Sequence, residues 1–347
     1  MMAEKVTSLQ VADRAGVSQS AVSRVFTPGA SVSKKTADKV RKAAAELGYR
    51  PNVLARAMVS GRSRIIGLVV AYLENHFYPE ALEKLSNALQ ERGYHVLIFM
   101  AAQTAGNIDS VMEEILDYQV DGIVMASVAM SSDIASRCRQ AGVPVVLFNR
   151  SQDIGGITTV TSDNYAGGRK VAEFLVAGGH ERISYIAGWE GASTQRDREA
   201  GFRAALAEAH VHLHAREVGD FRSDRAAEAA RRLFDVSEST RPDAVFVAND
   251  HMAFAVMDVL RFELGLLVPD DVSVVGYDDV PPAAWPAYDL TTMRQRANLM
   301  VEETVLALLD QIENPKAQPP RQISIDCPFV IRGSARLPKA ELNWDTA

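Results

Sequence analysis

Residues 6–26 read VTSLQVADRAGVSQSAVSRVF. The spacing predicts a helix from about Thr7 to Ala15, with Val11, Ala12 and Ala15 turned inward. Gly16 ends it and permits a tight turn. Ser18 then caps a second helix, Gln19–Phe26, its oxygen accepting from amides of the first turn. On a helical wheel Ala21, Val22, Val25 and Phe26 share one face, and Gln19, Ser20, Ser23 and Arg24 the other. A helix that enters a DNA major groove by its N-terminal end needs this arrangement, an apolar back and hydrogen-bonding groups in front. Ser33 caps a third helix, with Ala37, Val40, Ala44 and Leu47 on its inner face and Gly48 just past its end. Its outer face, from Lys34 on, is lysine-rich, which suits phosphate contact that positions without reading sequence.

The charge distribution agrees. The chain of 347 residues carries a net −7. Residues 1–64 hold twelve Lys/Arg against four Asp/Glu, or +8, which leaves 25 against 40, or −15, for the rest. A small basic module on a large acidic body points to a polyanion-binding head. The length suggests two or three domains. A hydrophobic content of 47% and a mean hydropathy of −0.05 read as soluble and globular. The longest apolar run, Ile65–Leu73, is half of what a membrane span needs. The first residues, MMAEKVTSLQVADRAG, contain no apolar signal segment. Two distant cysteines, Cys138 and Cys327, make neither a disulfide framework nor a cysteine metal site. These features point to a cytoplasmic protein with no membrane partner.

Pro51–Gly61 is about two helical turns, with Pro at the start and Gly at the end, too short to be stable alone in water. From Ile65 short apolar runs alternate with helical stretches. The runs are Ile65–Ala71, His95–Met100, Gly122–Ala126, Val143–Phe148, Thr158–Thr161, Ile183–Ala187, Ala244–Val247 and Val272–Tyr277. This alternation predicts parallel sheets covered on both faces, in two doubly wound subdomains of the periplasmic-binding-protein type with a ligand cleft between them. The fold class is therefore a small all-α helix-turn-helix head plus an α/β body. The expected organisation is a DNA-binding domain at 1–50, a hinge at 51–63 and an effector-binding, dimerising body at 64–340. Within the body, 64–162 with 292–323 forms the first subdomain, and 163–291 with 324–340 the second.

Motifs along almost the whole chain carry a resemblance. In the head they are Val11-Ala12, AGVS at 15–18, VSRV at 22–25, VS-x-KT at 32–36, LGYRPN at 47–52 and Ala55-Arg56. In the body they include IGLVV at 66–70, VDGIV at 120–124, GVPVVLFNR at 142–150, DNYAGGR at 163–169, VANDHMA at 247–253, LTTMRQ at 290–295 and VIRGS at 330–334. The chain resembles the LacI/GalR family of bacterial regulators. That resemblance implies a ligand-responsive, sequence-specific transcriptional regulator, a repressor of sugar or sugar-acid metabolism genes. Its partners would be a palindromic double-stranded operator, a small effector (sugar, sugar acid or related metabolite) and a second copy of itself.

Site residues follow from the same resemblance. Gln19, Ser20, Ser23 and Arg24 would face base edges, and Ser18 and Lys34 would hold phosphates. Asn52, Arg56 and Met58 would act from the hinge, with Met58 wedging a central base step in the minor groove. The effector cleft would be lined by Asn75, Phe77, Tyr78, Asn149, Thr194, Arg198, Phe221, Asn249 and Asp278. Most of these lie at carboxyl ends of strands, where open α/β sheets bind ligands. Asn149 stands where relatives often have Asp, beside Arg150, which makes the site less acidic and suits an anionic effector such as a sugar acid or phosphate ester. Two departures are visible. Ser8 occupies a usual Leu position, with Leu9 following, which reads as a slight re-registration of the first helix. Met58 occupies a hinge position that usually holds Leu.

Other constellations carry less. His210-x-His212-x-His214 has zinc-like spacing but lies in a polar stretch without a carboxylate or cysteine at fixed spacing, so no metal is expected. The Gly-Gly pairs at 155–156, 167–168 and 178–179 form neither a dinucleotide fingerprint nor a phosphate loop. No G-x-S-x-G occurs, so neither a cofactor nor an enzyme activity is expected. The alternative is a sugar-binding sensor of the solute-binding type without DNA readout.

Overall fold

Each helix of the head begins at the cap its sequence supplies. Thr7 and Gln10 cap α1 (Ser8–Ala15) reciprocally: Gln10 N donates to Thr7 Oγ1 at 3.4 Å and Thr7 N to Gln10 Oε1 at 2.8 Å. Ser18 caps α2 (Gln19–Val25) and Ser33 caps α3 (Lys34–Leu47). Gly16 and Gly48 close α1 and α3 at φ 65° and 66°, where a side chain would be strained. Val11, Ala12, Val22, Val40, Ala43 and Ala44 form the buried core of the head. The first helix is not re-registered. Val11 and Ala12 stay buried, Ser8 is half-buried, and Leu9 is 55% exposed, because the cap at Thr7 fixes the register.

The computed structural model describes residues 6–27, 30–50, 62–101, 105–128, 131–152, 156–315 and 319–338. Asn52, Arg56 and Met58 lie outside the described residues. The chain divides into two compact units, Met1–Arg64 and Ile65–Ala347.

The second unit contains two six-stranded sheets. The first half of the chain runs β1 (Ile65–Val70), α4 (Phe77–Glu91), β2 (His95–Met100), α5 (Ala105–Asp117), β3 (Gly122–Ala126), α6 (Ser132–Ala141), β4 (Val145–Phe148) and β5 (Thr158–Ser162). The second half opens with α7 (Asn164–Ala177), β6 (Ile183–Ala187), α8 (Ser193–Glu208), β7 (Ala215–Val218), α9 (Ser223–Phe234) and β8 (Ala244–Val247). It continues through α10 (Asp250–Asp258), β9 (Ser273–Asp278), β10 (Thr291–Arg294), α11 (Ala297–Glu313), β11 (Gln322–Ile325) and β12 (Phe329–Val330).

Strand order is β11-β5-β4-β3-β1-β2 in one sheet and β12-β10-β9-β8-β6-β7 in the other. Among the described residues only β12 pairs antiparallel. Each sheet reverses direction beside its first strand, which opens a crevice at the carboxyl ends of β1 and β3 and of β6 and β8. Strands such as β1 are buried on both faces, which is why they read as unbroken apolar runs.

Four strands were not among the expected apolar runs. β7 (AREV) and β11 (QISI) lie at or near sheet edges and are only partly buried, so their composition is polar. β10 is buried but half threonine, and β12 is two residues long. The lobe boundaries shift accordingly. β10 pairs with β9 in the second sheet, not in the lobe expected for 292–323, and β11 carries the first sheet on to Ile325. Among the described residues no helix is long and apolar enough to cross a membrane.

Candidate functional site

Two surfaces gather the residues singled out above. On the head, Ser18, Gln19, Ser20, Ser23, Arg24 and Lys34 are all exposed, while Val22 behind them is fully buried. Helix α2 therefore offers its polar face outward and is held from behind by α1 and α3. One orientation is already set: Gln19 Nε2 donates to Ser8 Oγ at 2.9 Å. Ser8, one of the two departures noted above, thus anchors the first side chain of α2. Ser18 and Ser20 share a hydrogen bond at 2.9 Å.

In the body the two crevices face each other, and side chains from both sheets bond directly across. Asp278, at the end of β9, accepts from Asn75 Nδ2 at 3.0 Å and from Gln295 Nε2 at 2.7 Å. Asn75 follows β1 of the other sheet. Arg198 Nη2 stands 3.8 Å from Asp278 Oδ1. The remaining reach of Arg198 is taken by Asn164 Oδ1 at 2.8 Å, the Ala248 carbonyl at 2.6 Å and the Tyr277 ring, 3.6 Å from its guanidinium carbon. Two glycines make that placement possible. A Cβ on Gly168 would strike the Arg198 carbonyl, and one on Gly201 the Tyr165 carbonyl, so α7 and α8 cross backbone to backbone.

Thr194, at the start of α8, accepts from Arg150 Nη1 at 2.7 Å, and Ser193 Oγ accepts from Ser151 N at 2.9 Å. Asn149 Nδ2 donates to Tyr78 Oη at 3.2 Å. Phe221 lies 5.9 Å from the Arg150 guanidinium carbon and lines a cavity of about 460 Å³ with Tyr72, Glu74 and Asp220–Asp224. Ser127, Asn149, Asp220, Phe221 and Asp278 all hold positive φ, at 61°, 56°, 53°, 59° and 131°. Strained backbone gathered at one cleft marks a site over-determined by its surroundings.

Two expected residues sit differently from the rest. Phe77 turns under the cleft, packs against Phe148 with ring centroids 6.1 Å apart and is buried in the core, because it opens α4 and faces the sheet. Asn249 spends its oxygen capping α10 through Met252 N at 3.0 Å, while its buried Nδ2 has no partner among the described residues.

The sequence reading did not single out Gln295, Asp250, Ser127 or Asn164 for the cleft. Gln295 and Asp250 sit inside the quoted LTTMRQ and VANDHMA motifs, which were the available signal. Asp250 is fully buried, accepting from Thr292 Oγ1 at 2.6 Å and Val280 N at 3.1 Å. Burial first, then the charge on Asp278, pushes its carboxyl from an ordinary 3.8 up to about 8. Asp278 is also raised by burial, against the pull of Arg198, Asn75, Gln295 and Arg150.

Known proteins were compared with this chain. The model of bacterial regulatory proteins of the lacI family matches residues 9–52, and that of the periplasmic binding protein-like domain matches residues 172–335. The chain is 33% identical over 335 residues to the HTH-type transcriptional regulator CelR of Thermobifida fusca, covering 93% of this chain and 96% of the relative. It is 31% identical over 334 residues to the ribose operon repressor of Escherichia coli strain K12, covering 95% and 99%. It matches the crystal structure of the Lac repressor dimer bound to operator and the anti-inducer ONPF with a TM-score of 0.85 at 28% identity, over 95% of this chain and 99% of that one. Fold and site together define a ligand-responsive, sequence-specific DNA-binding transcription regulator. The chain belongs to the LacI family of bacterial regulatory proteins.

Proposed function

We propose that this protein is a homodimeric repressor whose two heads read the halves of a palindromic operator and whose body senses a sugar-type metabolite. The observation that carries the reading is the α2 face: four exposed polar side chains, Gln19, Ser20, Ser23 and Arg24, over a buried Val22. Arg24 suits a guanine edge, to which arginine donates twice, and Gln19 and Ser20 suit neighbouring bases. Ser18 and Lys34 supply phosphate contacts. Arg56 and Met58 act from the hinge, Met58 as the minor-groove wedge and Asn52 beside the backbone.

Exposed apolar side chains support a second copy. The edge strand β2 shows Ile98 and Met100, 54% and 50% exposed, and the other lobe shows Phe262, Leu267 and Trp285 at 81%, 61% and 54%. The relative named for the ribose operon points to a polyhydroxylated effector. Asn75, Tyr78, Asn149, Thr194, Arg198, Phe221, Asn249 and Asp278 supply matching donors, acceptors and a ring face. Effector binding sets how tightly the two lobes close, and the hinge passes that to the heads with a coupling of ~1–3 kcal/mol.

The test is binding of the purified full chain, at several salt concentrations, to a genomic fragment pool that includes its own upstream region. Selective retention of a palindrome, shifted by one metabolite, is the expected result. Binding that is only non-specific and collapses with salt would leave a sensor without DNA readout.

A further inference from the structure

The first side chain of α2 is already committed within the head. Gln19 is exposed, and among the described residues its amide makes one hydrogen bond, Nε2 donating to Ser8 Oγ at 2.9 Å. Ser8 is itself held. It is half-buried and opens α1, whose first turn is locked by the reciprocal Thr7–Gln10 cap. Val11 and Ala12 of α1 and Val22 of α2 pack in one buried core, so the two helices hold these side chains at a fixed separation. A leucine at position 8 could not accept this bond. The neighbouring Ser20 differs. Its bond to Ser18 at 2.9 Å can run in either direction, so its hydroxyl can offer a proton or a lone pair.

The bond to Ser8 leaves Gln19 with a defined pair of groups. A glutamine amide has two N–H donors and one carbonyl acceptor. With one N–H on Ser8 Oγ, one donor and one acceptor remain. In the major groove adenine presents an acceptor, N7, beside a donor, N6–H, and matches that pair. Guanine presents two acceptors, N7 and O6, and would set one of them against the Gln19 carbonyl. Thymine presents O4 beside a methyl group and cytosine a donor alone, so each would meet one of the two groups and leave the other unpaired. We infer that Gln19, positioned by Ser8, reads an adenine, so that each operator half-site carries an A·T pair under the first turn of α2. Ser8 acts through Gln19 as a positioning residue that sets specificity. The inference rests on the regulator reading and names one base pair of its target. Holding the amide before binding also removes rotamer freedom that a loose glutamine would lose on the DNA.

The experiment uses the full chain and a pool of synthetic duplexes carrying a randomised palindrome, with the selection repeated for Q19A, S8A and S8T. The base pair at which Q19A loses its preference is the one Gln19 reads. There the wild type should favour A·T over each alternative by at least about fivefold, the lower end of what a two-bond base contact supplies. Placing 7-deazaadenine at that pair replaces N7 by C–H. It should weaken the wild type by about threefold or more, the worth of one neutral hydrogen bond, and leave Q19A unchanged. S8A should lower the A·T preference by about threefold or more at that pair alone, and S8T, which keeps a hydroxyl, should restore it. A preference for any other base pair there, no pair that depends on Gln19, no response to 7-deazaadenine, or a selection by S8A identical to that of the wild type would overturn the inference. If the wild type still selects a palindrome in those cases, only the adenine reading fails. If it selects none, the regulator reading fails with it.

Discussion

Asp250→Asn tests the charge count in the cleft. The wild-type carboxyl is fully buried and pushed up to about 8, against 3.8 for the ordinary group. Below 3.8 both folded and unfolded chains hold the proton, and the group's contribution to stability is fully present. Between 3.8 and about 8 the folded chain keeps the proton and the unfolded chain has lost it. Stability therefore falls as pH rises, by up to about 1.4 kcal/mol per pH unit, and the contribution is gone above about 8. Asparagine mimics the protonated form. Its oxygen can accept from Val280 N, and its amide can donate to the Thr292 hydroxyl, the two partners Asp250 now has. The variant lacks the proton and so lacks the slope. From about pH 5 to about pH 7 its stability should gain about 2.7 kcal/mol on the wild type. Urea unfolding of both proteins at the two pH values measures this, and titrating groups other than Asp278, whose charge bears on Asp250, cancel in the double difference. Curves that stay parallel within about 0.5 kcal/mol would refute the reasoning. Asp250 would then be ionised in the fold.

Arg24→Ala should cost about 1–3 kcal/mol of operator affinity and relax sequence preference, whereas Lys34→Ala should weaken all DNA alike and lower the salt slope by about one. Binding to operator variants at several salt concentrations separates the two effects, and identical behaviour of the two variants would deny Arg24 a reading role. Ser8→Ala frees Gln19 Nε2 from its 2.9 Å anchor, so preference at one base pair should loosen while the melting temperature stays close to that of the wild type. Gly168→Ala forces a methyl group against the Arg198 carbonyl and should destabilise the body by about 3 kcal/mol, read as a lower melting temperature. An unchanged melting temperature would mean that α7 and α8 part without strain.

The head was legible because its signals are local. Ser18, Ser33, Gly16 and Gly48 act within a turn of where they stand, and three-residue spacing decides each cap. The buried strands were legible because burial on two faces leaves a continuous apolar run, as in IIGLVV. Strands β7 and β11 were not, since exposure at a sheet margin erases that run. The crossover points were missed for a related reason. Whether TTMR joins the first or the second sheet depends on its register against β9, and nothing within TTMR encodes its partner.

Strand ends alone could place the cleft but could not apportion its charges. Asn75 and Asp278 bond across 203 positions, and Arg150 reaches Thr194 across 44. Asn249 and Asp250 are neighbours, yet the first caps a helix with its oxygen while the second is a buried carboxyl that holds its proton. The same contrast divides the arginines. Arg198, marked by the family pattern, has its donors met by protein groups, which fits a residue that braces the site. Arg150 closes the GVPVVLFNR motif, yet the sequence reading took it only as the neighbour of Asn149; its hydrogen-bond partners among the described residues are neutral oxygens and its Nε lacks one. A family motif records which residue types recur at the ends of strands. Whether a buried charge is balanced depends on every group that folding brings within a few ångströms of it.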